Sequence, residues 1–456
     1  MSQPDLSRPR RVHIVGLGGA GMSAIATVLV AMGHEVSGSD LKDNVSLQRL
    51  RALGVTVAIG HDAANVASAE FCAVSTAVPA ANVEVAGAQR RGIPVHCRAE
   101  LLSAISRLRR TIAVSGTHGK TTTSSMLALV LVEAGLSPSF IIGGEINEIG
   151  SGAVWDSGEW LVVEADESDG TFLELDSEIA VLTSIEADHL DHYGSFEALR
   201  SAFRDFLAGA SSGAIVCHDY PDAVALAPRG ATTYGFGAGS SWRITEFSGG
   251  RSDVSFVLRE TSGAATRLSL PVPGRHNALN AAGATAAAAA VGVDGDAVRR
   301  ALARFGGVAR RFEFRGEAHG ATFVDDYAHL PGEVAAALAT ARRGGWRRVV
   351  CVFQPHRYSR IAALADTFAD AFVDADELII TDIYGAGEAP RPGVSGKLVA
   401  DAVLAAHPAA AVTYLPERAG LVDYLRRTLR AGECCLTLGA GDLTSLADEL
   451  VARSGG

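Results

Sequence analysis

The chain has 456 residues, room for two to four domains with separate cores. Its 40 Lys and Arg stand against 51 Asp and Glu, and the resulting charge of −11 argues against a nucleic-acid partner. The 48% of hydrophobic residues fall in short runs, none reaching the roughly 18 apolar positions of a membrane span.

The opening residues MSQPDLSRPRR are basic but lack the apolar core and cleavage site of a secretory signal. Six scattered cysteines form no C-x-x-C pair, as expected of thiols buried in strands in a reducing cytoplasm. Residues 11 to 40 form a first glycine-rich unit. RVHIVG reads as a strand, GLGGAG (16 to 21) matches G-x-G-x-x-G, and Met22 to Met32 reads as an apolar helix closed by Gly33. A second strand, His34 to Ser39, ends in Asp40, about where a dinucleotide fold places its ribose-binding acid. Alone, this suggests an NAD-dependent dehydrogenase. The fingerprint specifies only a diphosphate at a helix N-terminus, however, and a UDP-sugar supplies one equally well. Further strands at Val55 to Ile59, Cys72 to Thr76 and Pro94 to Cys97 complete a small α/β domain, and Arg107, Arg109 and Arg110 read as a solvated linker.

The stretch SGTHGKTTT (115 to 123) follows the apolar strand Thr111 to Val114 and opens a helix with Met126, Leu127, Val130 and Leu131 at helical spacing. Strand, glycine turn and helix N-terminus make a phosphate loop. Gly116 and Gly119 let backbone N–H groups curl around an anion, and the helix dipole adds positive charge there. Lys120 can reach the β- and γ-phosphates, and the Thr121 hydroxyl can serve Mg²⁺. The loop is the short Gly-x-x-Gly-Lys-Thr form, with Val114 where the usual spacing has a first glycine.

Two strands follow. Trp160 to Ala165 delivers Glu164, Asp166, Glu167 and Asp169 at its C-terminal end, and Ile179 to Ser184 leads into IEADHLDHYGS with His189. Glu164 and His189 could face one Mg²⁺ or phosphate; a merely polar sheet edge would carry the same residues, and the residues alone leave both readings open. Short alternating strands at Trp242 to Phe247, Val254 to Leu258 and Arg267 to Leu270 read as an antiparallel appendage. The Ala-rich stretch 273 to 292 is a strong helix former, with Asn277 and Asn280 a turn apart as ligand contacts or simple caps. From about 312 a third α/β alternation has strands at Ala321 to Asp325, Arg348 to Phe353, Glu377 to Thr381, Ala411 to Leu415 and Cys435 to Leu438. Polar clusters after four of them (DDYAHLP, QPHRYSR, DIYGAGE, GAGD) suggest a binding rim, where Arg357 and Arg360 suit a carboxylate or phosphate.

In order along nearly the whole chain, GLGGAGMSAIA, SGTHGKTTT, EADESD, EADHLDHY, GRHNALNAA, RRFE, DDYAHLP, QPHRYSR and GAGD resemble the Mur ligases of peptidoglycan synthesis. GLGGAGM is similar to the pattern of the alanine-adding member rather than the murein-peptide-recycling one. The resemblance implies an α/β chain of three domains: a Rossmann-like UDP-sugar domain (1–109), a P-loop ATP domain with a mostly parallel sheet plus a small antiparallel one (110–311), and a Rossmann-like amino-acid domain (312–456). It implies an enzyme that uses ATP to phosphorylate the lactyl carboxylate of UDP-N-acetylmuramate, after which the amine of L-alanine attacks the acyl phosphate. Its partners would be these small molecules alone, in a cytoplasmic monomer or homodimer.

Site residues are implied in the same way. Gly116, Thr117, His118, Gly119, Lys120, Thr121, Thr122, Asn277, Asn280, Arg311 and Asp326 would bind ATP, with Thr121, Glu164 and His189 on Mg²⁺. Gly16, Gly18, Gly19, Ala20, Gly21, Met22, Asp40 and Ser75 would bind the UDP-sugar. Tyr327, His329, Arg357 and Arg360 would meet L-alanine and the reacting carboxylate. Lys120, Glu164, His189, His329, Arg357 and Arg360 would carry the catalysis. Two departures stand out: Leu330 replaces the second histidine of the family's His-His-Pro, and Arg200 and Arg204 occupy the region where several siblings carry a carbamoylated lysine, so no carbamate is expected here.

Overall fold

The computed structural model describes residues 3–318 and 320–451. The outermost positions of the first and third expected domains, 1, 2 and 452–456, lie outside the described residues. The fold is mixed α/β with three sheets, and the chain divides into two compact units: Met1–Thr245, Val257–Leu268 and Leu279–Phe305 form one, Glu246–Phe256, Ser269–Ala278 and Gly306–Gly456 the other.

In the first unit β1 (Arg11–Val15), β2 (Glu35–Asp40), β3 (Thr56–Ile59), β4 (Phe71–Val74) and β5 (Val95–Cys97) form a parallel sheet in the order β3-β2-β1-β4-β5. The order reverses at β1, so the crevice beyond its carboxyl end is where such a sheet gathers ligands. The glycine loop lies there. A buried polar knot holds the end of β2: the Glu84 carboxylate accepts from Ser39 Oγ at 2.5 Å, Asn65 Nδ2 at 2.5 Å and the Asp62 N–H at 3.2 Å. Burial opposes the Glu84 charge, yet the neighbouring His13, 3.7 Å away, and the hydrogen bonds from Ser39, Asn65 and Asp62 prevail and hold its pKa down at about 2.

The central sheet has ten strands: β6 (Arg110–Ser115), β7 (Ser139–Ile146), β8 (Ser151–Val154), β9 (Trp160–Glu164), β10 (Ile179–Leu182), β11 (Gly213–Cys217), β12 (Thr232–Gly235), β13 (Trp242–Gly249), β14 (Val254–Glu260) and β15 (Ala265–Leu270). Its order is β15-β14-β13-β12-β11-β10-β6-β9-β7-β8, parallel from β12 to β7, with β8 antiparallel to β7. Again the chain crosses over at one strand, β6, and the phosphate loop follows it. Helix Lys120–Glu133 is buried from Thr121 to Leu131, which accounts for its apolar residues all round and its small Thr and Ser side chains.

The expected linker is solvated at Arg107 and Arg110, which are exposed, while Arg109 is partly buried and two of its three cations rest on aromatic faces. Helix Arg98–Ser106 ends three residues before β6, the Arg110 guanidinium is bidentate to Glu178 (2.8 and 2.6 Å) and lies 4.1 Å over the Trp160 ring, and Arg109 lies 4.6 Å over Trp155. Aromatic faces downstream in the sequence hold these cations, a pairing that a local reading of a basic run misses.

The second unit contains a six-stranded sheet ordered β16-β17-β21-β18-β19-β20, made of β16 (Glu313–Ala318), β17 (Ala321–Asp326), β18 (Val349–Phe353), β19 (Glu377–Ile380), β20 (Val412–Tyr414) and β21 (Cys434–Leu438). All pairs are parallel except the β16 edge. Parallel β17, β18, β19 and β21 place the four polar clusters at carboxyl ends on one rim. Five cysteines are buried in strands as expected; Cys97 is exposed.

Candidate active site

The phosphate loop is shaped by the strand beside it. Gly116 has φ +134°, and a Cβ there would stand 2.3 Å from Thr183 Oγ1; at Gly119, φ +82°, a Cβ would stand 2.5 Å from Asn280 Oδ1. Only glycine fits either place. The end of β10 then fastens the loop: the His118 N–H donates to Ser184 Oγ (2.7 Å), the Thr117 N–H to the Ser184 carbonyl (3.2 Å), and Thr183 Oγ1 to the His118 carbonyl (2.5 Å). The Lys120 ammonium donates to the Gly116 and Thr117 carbonyls (2.6 and 3.3 Å) and to Glu167 Oε1 (2.9 Å). Burial works against this charge, yet Glu167, Asp166 and Glu164 more than offset it and raise the Lys120 pKa. Lys120 is therefore a held cation, folded back on its own loop.

Strand β9 brings acids to the same point. Glu164 accepts from Thr121 Oγ1 at 2.9 Å and from the Gly143 N–H at 2.6 Å. His189 takes a left-handed backbone (φ +52°) and places Nε2 3.2 Å from Asp188 and 4.0 Å from Glu167. Thr121 and Glu164 thus meet directly, whereas His189 faces the other two acids. Among the described residues no group of three or more His, Cys, Asp or Glu side chains is arranged to hold a metal.

The first glycine loop uses its N–H groups differently. Those of Gly16 and Leu17 donate to the Ser39 carbonyl (2.9 and 3.0 Å), and that of Gly18 to Asp40 Oδ2 (2.8 Å). Asp40 also accepts from the Leu41 N–H at 2.7 Å, so this expected ribose ligand stabilises the loop itself. Ser75 borders Gly16, where a Cβ would lie 2.9 Å from its own. Beside the loop a cavity of about 320 Å³ is lined by Gly19, Ala20, Gly21, Met22 and Ser75 on one side and by Glu164 and Asp166 on the other. Residues expected to bind the UDP-sugar and one of the expected metal ligands thus border one space.

In the second unit the expected amino-acid residues share the rim. Tyr327 and His329 meet edge to face at 5.4 Å, and His356, 5.6 Å from His329, stacks on Tyr384 at 5.9 Å. Burial above all, then the cations of His329, Arg360 and Arg357, push the His356 pKa down to about 3, so its neutral Nδ1 can accept from Arg360 at 2.9 Å. Arg357 is held at φ +65°, and its buried Nε has no hydrogen-bond partner. A strained backbone that carries a buried guanidinium nitrogen without a partner is poised for a ligand. Asp326 accepts from the Phe312 and Ala328 N–H groups (both 2.8 Å), and burial raises its pKa to about 6 against the pull of Arg311. Arg311 lies 5.2 Å over the Tyr327 ring. Asn277 donates to the Pro273 carbonyl at 2.7 Å, while in the first unit Asn280 accepts from Thr123 Oγ1 at 3.3 Å. Leu330 is 2% exposed at the start of helix Pro331–Arg343, packed as an apolar side chain where the family's pattern has histidine.

Residues 11–110 match the model of the Mur ligase family catalytic domain, 114–288 the Mur ligase middle domain and 310–441 the Mur ligase glutamate ligase domain. The chain belongs to the Mur ligase family. It is 45% identical over 451 residues, 98% of either chain, to the UDP-N-acetylmuramate–L-alanine ligase of Anaeromyxobacter sp. (strain Fw109-5). It is 46% identical over 452 residues to the enzyme of that name from Rubrobacter xylanophilus, covering 97% of this chain and 100% of the other. The crystal structure of UDP-N-acetylmuramate-alanine ligase from Thermotoga maritima matches with a TM-score of 0.82 and 28% identity, covering 97% of this chain and 99% of that one. A murein peptide ligase from Psychrobacter arcticus shares the fold at a TM-score of 0.72 and 23% identity, covering 98% of this chain and 99% of that one.

In this Mur ligase two residues beside the site escape a motif reading. Glu167, 1% exposed, is the carboxylate that holds Lys120, yet within EADESD nothing separates it from its neighbours. Arg98 lines the cavity with Gly21 and Glu164. Its sequence signal was present: a cation opening a helix stands against the dipole there.

Proposed function

We propose that this enzyme joins L-alanine to the lactyl carboxylate of UDP-N-acetylmuramate at the expense of ATP, giving UDP-N-acetylmuramoyl-L-alanine, ADP and phosphate. The observation that carries the reading is the cavity where the first glycine loop and Glu164, itself hydrogen-bonded to Thr121 of the phosphate loop, border one space. A carboxylate on a sugar nucleotide seated at the first loop is thereby brought toward phosphates seated at the second. The loop residues Gly116 to Thr122, with Asn280 beside them, would position ATP; Asn277, Arg311 and Asp326 would serve its nucleoside. Lys120 would leave Glu167 for the transferred phosphoryl group and stabilise its charge, since phosphoryl transfer asks a protein chiefly for positioning and electrostatics. Tyr327, His329, Arg357 and Arg360 would hold the amino acid so that its amine faces the acyl phosphate.

Mg²⁺ fits the donor set. Such an ion takes one or two protein oxygens and completes its shell with phosphates and water, and the Thr121 hydroxyl and Glu164 carboxylate, 2.9 Å apart, supply those oxygens. Bound there it would neutralise phosphate charge; His189 would join from the neighbouring strand end. We place the enzyme in the cytoplasm, where its substrates are made, as a monomer or homodimer, with domain limits at 1–109, 110–311 and 312–456. No helix among the described residues is long and apolar enough to cross a membrane.

Phosphate release tests the reading, with ATP, Mg²⁺ and UDP-N-acetylmuramate present and L-alanine, glycine or L-serine added in turn. Release that needs both sugar nucleotide and amino acid is expected, L-alanine leading by the margin of about 1–3 kcal/mol that a methyl group allows. No release, with tight NADH binding instead, would return the chain to the dehydrogenase reading.

A further inference from the structure

The cavity beside the first glycine loop poses an electrostatic problem. Its charged lining residues are Glu164, Asp166 and Arg98, two carboxylates and one guanidinium. A sugar nucleotide of the kind proposed above brings a diphosphate and a carboxylate, all anionic, toward two anionic side chains. The N–H groups of Gly16, Leu17 and Gly18 already donate to Ser39 and Asp40, which leaves the first turn of the helix, Gly19 to Met22, as neutral backbone donors. Arg98 is the cationic side chain in this lining, and the one full counter-charge it offers.

Its present contacts leave it ready for that task. The Arg98 side chain is only 20% exposed, and NH1 lies 3.6 Å from Asp166 and 3.7 Å from Asp169, beyond hydrogen-bonding distance. Nε is buried with no hydrogen-bond partner. A buried guanidinium nitrogen without a partner is costly unless a ligand supplies one. The group also lies against the third glycine of the loop, for a Cβ on Gly21 would stand 3.0 Å from Arg98 Nε. This places it beside the N-terminus of helix Ala20–Ala31, the diphosphate end of the cavity.

We propose that Arg98 binds the diphosphate of the sugar nucleotide, with Asp166 and Asp169 as its counter-ions while the cavity is empty. The planar fork presents paired donors to phosphate oxygens, which a lysine cannot reproduce. The inference rests on the UDP-sugar reading of this loop. The competing role is structural: Arg98 would merely fasten its helix to the acids beyond β9.

Calorimetric titration separates the two. UDP, UDP-N-acetylmuramate and a non-hydrolysable ATP analogue are titrated into the wild type, Arg98→Met and Arg98→Lys. Arg98→Met is expected to weaken both uridine ligands about thirtyfold or more, leave the ATP analogue within twofold, and show partial recovery in Arg98→Lys. Should Arg98→Met fail to fold, Arg98→Lys carries the test with an expected loss of about fivefold for the uridine ligands alone. Equal binding by wild type and variants overturns the assignment, as does a matched loss for uridine and adenosine ligands. A wild type that binds neither uridine ligand refutes the sugar-nucleotide reading itself, a distinguishable result.

Discussion

The two glycine loops make an instructive pair. Each follows an interior strand with parallel neighbours on both sides, at the point where strand order reverses, and each opens a helix of 12 or 14 residues. Their chemistry diverges because of what surrounds the same turn. The first loop gives three of its N–H groups to Ser39 and Asp40 and contains no cation, so it must borrow one from the far edge of its domain. The second carries Lys120 within itself and meets acids at and just beyond the end of β9 that can neutralise that charge or share a metal. A glycine pattern therefore specifies a turn; the charges that reach the turn specify the ligand.

Removing the cation of the second loop should have the largest effect. Lys120→Ala is expected to lower kcat by about a thousandfold or more, since transition-state charge on the phosphoryl group loses its stabiliser. Binding of UDP-N-acetylmuramate, measured without ATP, should stay within twofold. A comparable loss at both loops would mean that the two sites do not act separately. Glu164→Gln comes next. It keeps the size and the acceptor oxygen that meets Thr121 but removes the charge, so about a hundredfold loss of kcat with a raised Mg²⁺ requirement is expected. Activity unchanged at limiting Mg²⁺ would remove Glu164 from the metal site.

Much of this difference was legible in the residues, for definite reasons. Both loops have local spacing, and strands such as Arg11–Val15 and Trp160–Glu164 are short, largely buried runs rich in β-branched residues, as a parallel sheet covered on both faces requires. What could not be read depends on pairing across the chain. Arg110 is exposed as a basic run suggests, but the rings of Trp155 and Trp160 on which Arg109 and Arg110 rest lie some fifty residues on. Asp40 sits at the expected strand end, but its bond to the Gly18 N–H is a matter of side-chain direction. The hold of Glu167 on Lys120 required knowing which of four clustered acids points inward.

A moderate effect should come from beneath the first loop. Glu84 is fully buried, and its pKa of about 2 lies below the usual 4.5 because the hydrogen bonds of the knot favour the anion. A depressed carboxylate adds stability above its unfolded pKa and loses that contribution as pH falls toward the folded value. Glu84→Gln should thus cost about 3 kcal/mol at pH 7, and the gap from wild type in thermal melts should close between about pH 4.5 and pH 2. A gap independent of pH would show that shape, not charge, makes the knot. Lys120→Ala should leave this pH dependence untouched, which ties the knot to the first loop alone.

The smallest effect is expected where several sibling ligases keep their modified lysine. Arg200 pairs with Glu197 at 3.2 Å and approaches Asp222 at 3.5 Å, while Arg204 lies 3.9 Å from Glu197 with half its side chain exposed. Both therefore spend their charge on helix Phe196–Gly209 and its neighbours, not on Glu164 or His189. Pairs of this exposure contribute about 0–1 kcal/mol, so Arg200→Ala and Arg204→Ala should leave kcat within about twofold and the Mg²⁺ requirement unchanged. Depleting bicarbonate should also have no effect, because no carbamate forms on an arginine that stays protonated. A tenfold loss in either variant would mean that this helix helps to organise the metal, and that the second loop, like the first, borrows part of its charge from elsewhere.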